Sequence, residues 1–326
     1  MISHLTRSLL LLQLLAVVLA AVLLKRHACI TSAWLATLIG LAVVLLVRAA
    51  ITANNFRLIR RFPDRQQPTA TLSKIQWMSM YLREFRATMI SSSWSMPFRS
   101  LDVQPVIRSM QLPVLLVHGY GCNSGYWRTL SRHLRQAGIS HHAVNLEPLL
   151  ADIDTYVPQV VSALETLCQA TGHVRVIVVG HSMGGLVMRA YQSAHGCERI
   201  ARLITLGTPH RGTGLAQYGM GINARQMRWA DSGIDGAANP WLSRLQMRES
   251  GYGCSHMVSI YSRHDNIVAP QDSSHVPGAK NIAFEGIGHV MLGSDRRVIE
   301  CMIAEIRAAQ ALSESLPNQT LLADRR

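Results

Sequence analysis

Residues 174–191 read VRVIVVGHSMGGLVMRAY, and their interpretation decides the fold. Val174 and the run Val176 to Val179 are apolar and mostly β-branched, which favours a buried strand. Gly180-His181-Ser182-Met183-Gly184-Gly185 follows, and a helix-like pattern starts at once. Strand, sharp G-x-S-x-G turn and helix together make a nucleophile elbow, with Ser182 as the candidate nucleophile. Glycine two residues to either side of the serine lets strand and helix approach, because neither position carries a Cβ. The helix N-terminus after Ser182 offers free N–H groups and a positive dipole end to a developing oxyanion. The bland reading is a glycine-rich turn with a capping serine; the flanking strand and helix favour the elbow.

The rest of the chain must accommodate that unit. Its 326 residues suffice for one large domain with an appendage. A mean hydropathy of +0.15 is high for a soluble protein, and the excess lies at the N-terminus. The formal charge is +13, yet the arginines are dispersed and no zinc-finger, RNP or basic-zipper pattern accompanies them. Nucleic-acid binding is therefore not expected, and a basic surface beside anionic lipid accounts for the charge. The six cysteines are widely spaced with no C-x-x-C pair, which argues against a zinc site or a disulfide framework.

Residues 8–24 and 28–47 are two uncharged apolar runs separated by Lys25-Arg26-His27. The second is long enough to cross a hydrocarbon core and the first is at the short limit. A helical hairpin over residues 1–48 is the favoured reading, because no small-x-small cleavage site follows the first run. A signal peptide followed by a single anchor competes with it. Arg48, Arg57, Arg60, Arg61 and Arg65 outnumber the basic residues of the turn, so a hairpin would place the catalytic domain on the cytoplasmic side, at a bacterial inner membrane. A cleaved first segment would reverse that orientation.

Residues 49–111 read as a linker. Asn54, Asn55, Pro63 and Pro68 mark a polar junction, and 71–90 an amphipathic helix that ends at a break over Ser91 to Pro97. This helix is expected to pack on the body rather than form a separate partner-binding module. Trp77, Tyr81, Trp94 and Arg83 suit a membrane interface. From 112 to about 310 strand and helix patterns alternate, which predicts an α/β architecture: a mostly parallel sheet with helices on both faces. Predicted strands fall at Val114–Val117, His142–Leu146, Val174–Val179, Leu203–Leu206, Met257–Tyr261 and Asn281–Phe284. Predicted helices cover Asn123–Gln136, Ile153–Ala170, Met183–Ser193 and Asp295–Ala309, and residues 311–326 read as a flexible tail.

VLLVHGYG at 114–121, VVGHSMGG at 178–185, LITLGTPHRGT at 203–213, RHDNIV at 263–268 and GIGH at 286–289 occur in this order. On these segments the last two-thirds of the chain resembles the α/β-hydrolase superfamily, specifically bacterial triacylglycerol lipases and esterases. The N-terminal segments lie outside the resemblance. Triad order in such folds is nucleophile, acid, histidine. His289, after a flexible glycine turn, is the candidate base, with His275 second. Asp265, just past a predicted strand, is the candidate acid, with Asp272 behind it; Asp231 and Asp235 fall in the insertion. By resemblance, the backbone N–H groups of Tyr120 and Met183 form the oxyanion hole. His118 reads as a structural hydrogen-bonder, and His181 as a residue that packs or bonds locally.

A glycine-rich insertion at about 211–253, with Tyr218, Met220, Met227, Trp229 and Trp241, suggests a lid over an acyl pocket. A cap that only completes the core is its dull alternative. Lipases of this type often carry a calcium-site aspartate two residues after the catalytic histidine. Met291 stands there, so no metal or other cofactor is expected. The resulting expectation is a membrane-anchored serine hydrolase cleaving acyl-lipid esters, without assigned protein partners. An acyltransferase or thioesterase with the same triad is one alternative, and a catalytically silent lipid-binding scaffold is another.

Overall fold

The computed structural model describes residues 1–27, 30–64, 71–101, 104, 110–229, 239–249 and 256–315. Six strands form a single sheet: β1 (Val114–Val117), β2 (His141–Val144), β3 (Val176–His181), β4 (Ile200–Leu206), β5 (Met257–Ser262) and β6 (Lys280–Phe284). Their order is β2-β1-β3-β4-β5-β6 and every pairing is parallel. Burial explains why the inner strands are continuous apolar runs: β1 and β3 are fully covered on both faces. One layer of core places Leu115, Val117, Val176 and Val178 against helices α6 (Val157–Thr171) and α7 (Met183–His195). The other places Val114, Leu116, Ile177 and Val179 against α5 (Arg128–Gln136) and α10 (Arg296–Ser315). Alternate residues of each strand thus feed opposite layers, as the pleat requires. β3 sits centrally, so the turn after it emerges mid-sheet at the carboxyl edge of the strands.

Two long helices precede the sheet, α1 (Ile2–His27) and α2 (Ala33–Leu58). They pack antiparallel. Gly40 lies so close to α1 that a Cβ would come 2.8 Å from the Val17 carbonyl, and Arg48 donates to Gln13 at 3.0 Å. Their outer faces are exposed and apolar, with Leu11, Leu15, Leu38 and Leu46 all solvent-facing. Both helices are long and apolar enough to cross a membrane by length and composition.

Two sequence expectations need adjusting here. The polar junction expected at Asn54 and Asn55 is helical: α2 runs through it and closes in a 3₁₀ turn at Ile59–Arg61. Asparagine is only mildly unfavourable in a helix, and docking of Thr52 and Phe56, both buried, offsets that cost. The break expected at Ser91 to Pro97 is also absent. Helix α3 (Lys74–Ile90) continues as a π turn over Ser91–Ser95 into α4 (Met96–Phe98). Arg48 donates to the Ser92 hydroxyl at 2.5 Å and to the Ser93 hydroxyl at 3.0 Å, while the Ser92 hydroxyl itself donates back to the Thr88 carbonyl at 2.6 Å. Pro97 sits at the joint between the π turn and α4.

Helix α3 packs on both neighbours. Trp77 and Tyr81 stack at 5.7 Å and meet Phe56 of α2 edge-on. They therefore join α2 to α3. Trp94 is half-exposed beneath the Arg99 guanidinium.

Candidate active site

Ser182 occupies φ 55° and ψ −126° between β3 and α7, and among the described residues it is the one non-glycine residue with positive φ. Such a conformation costs about 1–3 kcal/mol and persists only where the surroundings impose it. Here they do. The Ser182 N–H donates to the Leu206 carbonyl of β4 at 2.9 Å, and Gly185 N–H donates back to the Ser182 carbonyl. A Cβ at Gly180 would sit 2.9 Å from Gly185, and one at Gly184 would collide with the Val117 carbonyl. The sequence reading of these glycines as room for close approach is the packing observed.

Asp265 and His289 meet beside this turn, on the loops after β5 and β6. His289 Nδ1–H donates to Asp265 Oδ2 at 2.7 Å. The other carboxylate oxygen accepts from Ile267 and Val268 N–H, both at 2.8 Å, so Asp265 is locked although only 1 % exposed. Burial opposes the imidazolium, but the charge and hydrogen bond of Asp265 outweigh it, with Glu84 adding. The His289 pKa is raised overall. Fixing the proton on Nδ1 leaves Nε2 as the acceptor, the tautomer a general base needs. His181 lies against His289 with ring centroids 4.6 Å apart and directs Nε2 at the His289 carbonyl, 3.3 Å away. Burial and the neighbouring imidazole hold His181 neutral.

Two further residues fasten His289, and the sequence did not single them out for it. Asn266 Oδ1 accepts the His289 N–H at 2.8 Å. Glu84, fully buried on α3, accepts from Val290 N–H at 3.0 Å and Met291 N–H at 2.9 Å. Burial pushes its carboxyl up to about 7, against the pull of those two N–H groups and of His289. Gly288 is required beneath it, since a Cβ there would lie 2.5 Å from the carboxyl group. Arg83 adds a third tie, donating to the Gly286 carbonyl at 2.7 Å and to Asp295 at 3.2 Å. Glu84 lies on the face opposite the apolar stripe of the 71–90 helix, whose Ile75, Met78 and Leu82 are exposed, so the sequence pattern carried no signal for it. Only the long-range contact gives it meaning.

The runners-up are occupied elsewhere. Asp272 pairs with Arg211 at 2.8 Å, and His275 follows the same short turn with no contact to Asp265. Asp231 and Asp235 lie outside the described residues. His118 is a structural hydrogen-bonder, as its sequence context suggested. Leu146 N–H donates to its Nε2 at 3.0 Å, and burial lowers it to about 4. The loop after β1 presses on the elbow, for a Cβ on Gly119 would come 2.7 Å from that of Ser182. Tyr120 follows, and Met183 opens α7 on the other side. The tyrosine side chain also has a task the sequence did not reveal: its hydroxyl bonds both the carbonyl and the N–H of Met220, at 2.9 and 3.2 Å.

That contact ties the 211–253 insertion to the site. Residues 230–238 and 250–253 lie outside the described residues. Of the remainder, α8 (Gly221–Gln226) and the turn Gly214–Tyr218 border the site, and α9 (Pro240–Glu249) buries Trp241, Leu242 and Leu245 in the core. The described insertion therefore completes the core with α9 and forms a cavity wall with the rest. The cavity, about 240 Å³, opens on Ser182 and is lined mainly by apolar groups including Leu215, Met227, Ile267 and Val268.

A family model described as the alpha/beta hydrolase fold matches residues 113–231. Mature lipase BlEst2 of Bacillus licheniformis superposes with a TM-score of 0.51 at 18 % identity, covering 62 % of this chain and 96 % of that one. The propeptide form gives a TM-score of 0.51 at 17 % identity, over 63 % of this chain and 52 % of the other. Sheet order, elbow and these likenesses show the alpha/beta hydrolase fold. Within that class the chain resembles bacterial lipases and esterases. Triacylglycerol lipases of Pseudarthrobacter phenanthrenivorans and Burkholderia plantarii are each 32 % identical over 114 residues. The match takes in 32 % of this chain and 35 % and 32 % of those relatives, so the chain spans about a third of their length.

Proposed function

We propose that this protein is a membrane-anchored serine hydrolase that cleaves carboxylic esters of acyl lipids. The observation that carries the reading is the 2.7 Å Asp265–His289 hydrogen bond beside a serine held at positive φ and facing an apolar cavity. In this reading Ser182 Oγ attacks the ester carbonyl while His289 Nε2 takes its proton. The Tyr120 and Met183 N–H groups receive the oxyanion, and Asp265 stabilises the imidazolium. His289 then protonates the departing alcohol, and water, deprotonated by the same imidazole, releases the acid from the acyl-enzyme. The exposed apolar faces of α1 and α2 support insertion as a hairpin. Both ends of that hairpin are fastened to the body: the Met1 ammonium pairs with Glu147 at 2.5 Å, and Arg61 donates to Tyr218 at 2.9 Å. This arrangement puts both ends of the hairpin on the catalytic domain's side. With the basic flank beyond Arg48, it favours a cytoplasmic-facing domain.

A fluorophosphonate probe on the detergent-solubilised full chain, run beside p-nitrophenyl esters of increasing chain length, tests the proposal. Labelling of the wild type that is lost in Ser182→Ala, with ester turnover, is the expected result. A wild type that neither labels nor turns over any ester would sink it.

A further inference from the structure

The cavity at Ser182 is not closed by the sheet domain alone. Its lining includes Asn55 and Leu58, which stand one turn apart at the end of α2. α2 is unbroken from the exposed apolar run that ends at Val47 to this point. Leu46 and Leu58 are therefore about 18 Å apart along one rigid rod, at 1.5 Å per residue. The rod cannot easily swing away. Phe62, four residues beyond Leu58, packs its ring on Gly214, where any Cβ would overlap it. Arg61 holds the Tyr218 hydroxyl, and Tyr218 lines the same cavity. On the other side, Tyr81 of α3 donates to the Ala49 carbonyl of α2 at 2.8 Å. Leu215 and Met227 of the insertion line the same mainly apolar cavity, together with Ser182.

From this placement we infer that the anchor helix itself selects the acyl chain: the last turn of α2, with Asn55 and Leu58, is the wall against which the chain of the ester lies. The inference rests on the hydrolase reading above and deepens it. A cavity of about 240 Å³ is smaller than the 300–1,000 Å³ of common small-molecule pockets, so it holds one chain. Added bulk at Leu58 must then shorten the chain that fits. Because the same helix carries the lipid-facing residues, substrate selection and membrane attachment reside in one element.

The test uses the full-length protein in detergent with p-nitrophenyl acetate and p-nitrophenyl laurate. Leu58→Trp is expected to lower the laurate-to-acetate ratio of kcat/KM at least tenfold. Leu46→Trp, on the same helix but away from the cavity, should move that ratio less than twofold. Leu58→Cys, purified folded and then treated with a benzyl methanethiosulfonate, guards against a folding artefact. Its ratio should fall on treatment and recover with dithiothreitol, whereas identically treated wild type does not respond. Ratios that stay within twofold in both Leu58 variants, while the fluorophosphonate still labels Ser182, would overturn the inference and leave the hydrolase standing. Absence of labelling in the wild type would instead remove the hydrolase reading beneath it.

Discussion

Glu84 grips the two peptide groups that follow His289. Its carboxyl oxygens accept from Val290 and Met291 N–H at 3.0 and 2.9 Å, although it belongs to helix α3, which ends at Ile90, ahead of the first strand at Val114. Through α3 the histidine loop is joined to α2, whose Phe56 packs on Trp77 and Tyr81. The geometry of the candidate base therefore depends on a segment that the matched hydrolase stretch, residues 113–231, does not contain.

Glu84 also makes stability depend on pH in a definite sense. Its carboxyl titrates near 4.5 when unfolded and at about 7 when folded, so between these values the native state holds a proton that the unfolded chain has lost. Unfolding free energy attributable to this group is full below pH 4.5 and declines as pH rises towards 7. The difference amounts to about 3 kcal/mol, at 1.36 kcal/mol per pH unit. Glu84→Gln, which is uncharged throughout, should flatten that component. Chemical denaturation at pH 5 and pH 7.5 measures it, and the wild type should lose more stability than the variant across the interval. An equal loss in both would show that Glu84 does not titrate there.

Asp265→Asn should cost catalysis more than folding. With the carboxylate gone, the tautomer and the imidazolium lose their support, and a fall in kcat on the order of 10⁴ is expected. The pH profile supplies a second signature. With His289 as the proposed base, activity is expected to fall as pH drops through its pKa, which Asp265 holds above the ordinary value of 6.5. The acidic limb of kcat/KM should therefore lie above that value in the wild type and move to lower pH in the variant. A limb that stays in place would assign the titration to another group.

Ser182→Ala should reduce ester turnover by about 10⁶, as removal of a nucleophile does when its partners act as a unit. Ser182→Gly should be equally inactive but more stable than Ser182→Ala, because glycine adopts φ 55° without strain. A gain of about 1 kcal/mol corresponds to roughly 2–4 °C for a domain of this size, which calorimetry resolves. Equal melting temperatures would mean that the elbow stores no strain.

Tyr120→Phe keeps the backbone N–H but removes the hydroxyl that bonds Met220. If the oxyanion hole uses the peptide group, kcat on p-nitrophenyl acetate should fall less than tenfold. KM for long-chain esters should rise, because Met220 flanks the turn bordering the cavity. A hundredfold loss of kcat on acetate would point to the phenol itself in the chemistry.

The sequence by itself determined the sheet and the elbow, and it nominated the residues of the candidate site. Buried parallel strands are written as apolar runs, and the turn from Gly180 to Gly184 is legible from its local spacing, although Gly184 makes room for the Val117 carbonyl and Ser182 is held by Leu206. Its strand boundaries fall within a few residues of those observed, and the largest error, at β4, arose because Arg202 interrupts the apolar pattern while pairing with Glu305 at 3.1 Å. Asp265 and His289 could be nominated from loop position, but only folding brings them within 2.7 Å. Tertiary structure alone decided the rest. Asn55 and Leu58 read as linker, Glu84 as one acid on an amphipathic helix, and Tyr120 as a backbone donor. Each acquires its role from partners roughly 100 to 200 residues away, and no periodicity encodes a contact of that range.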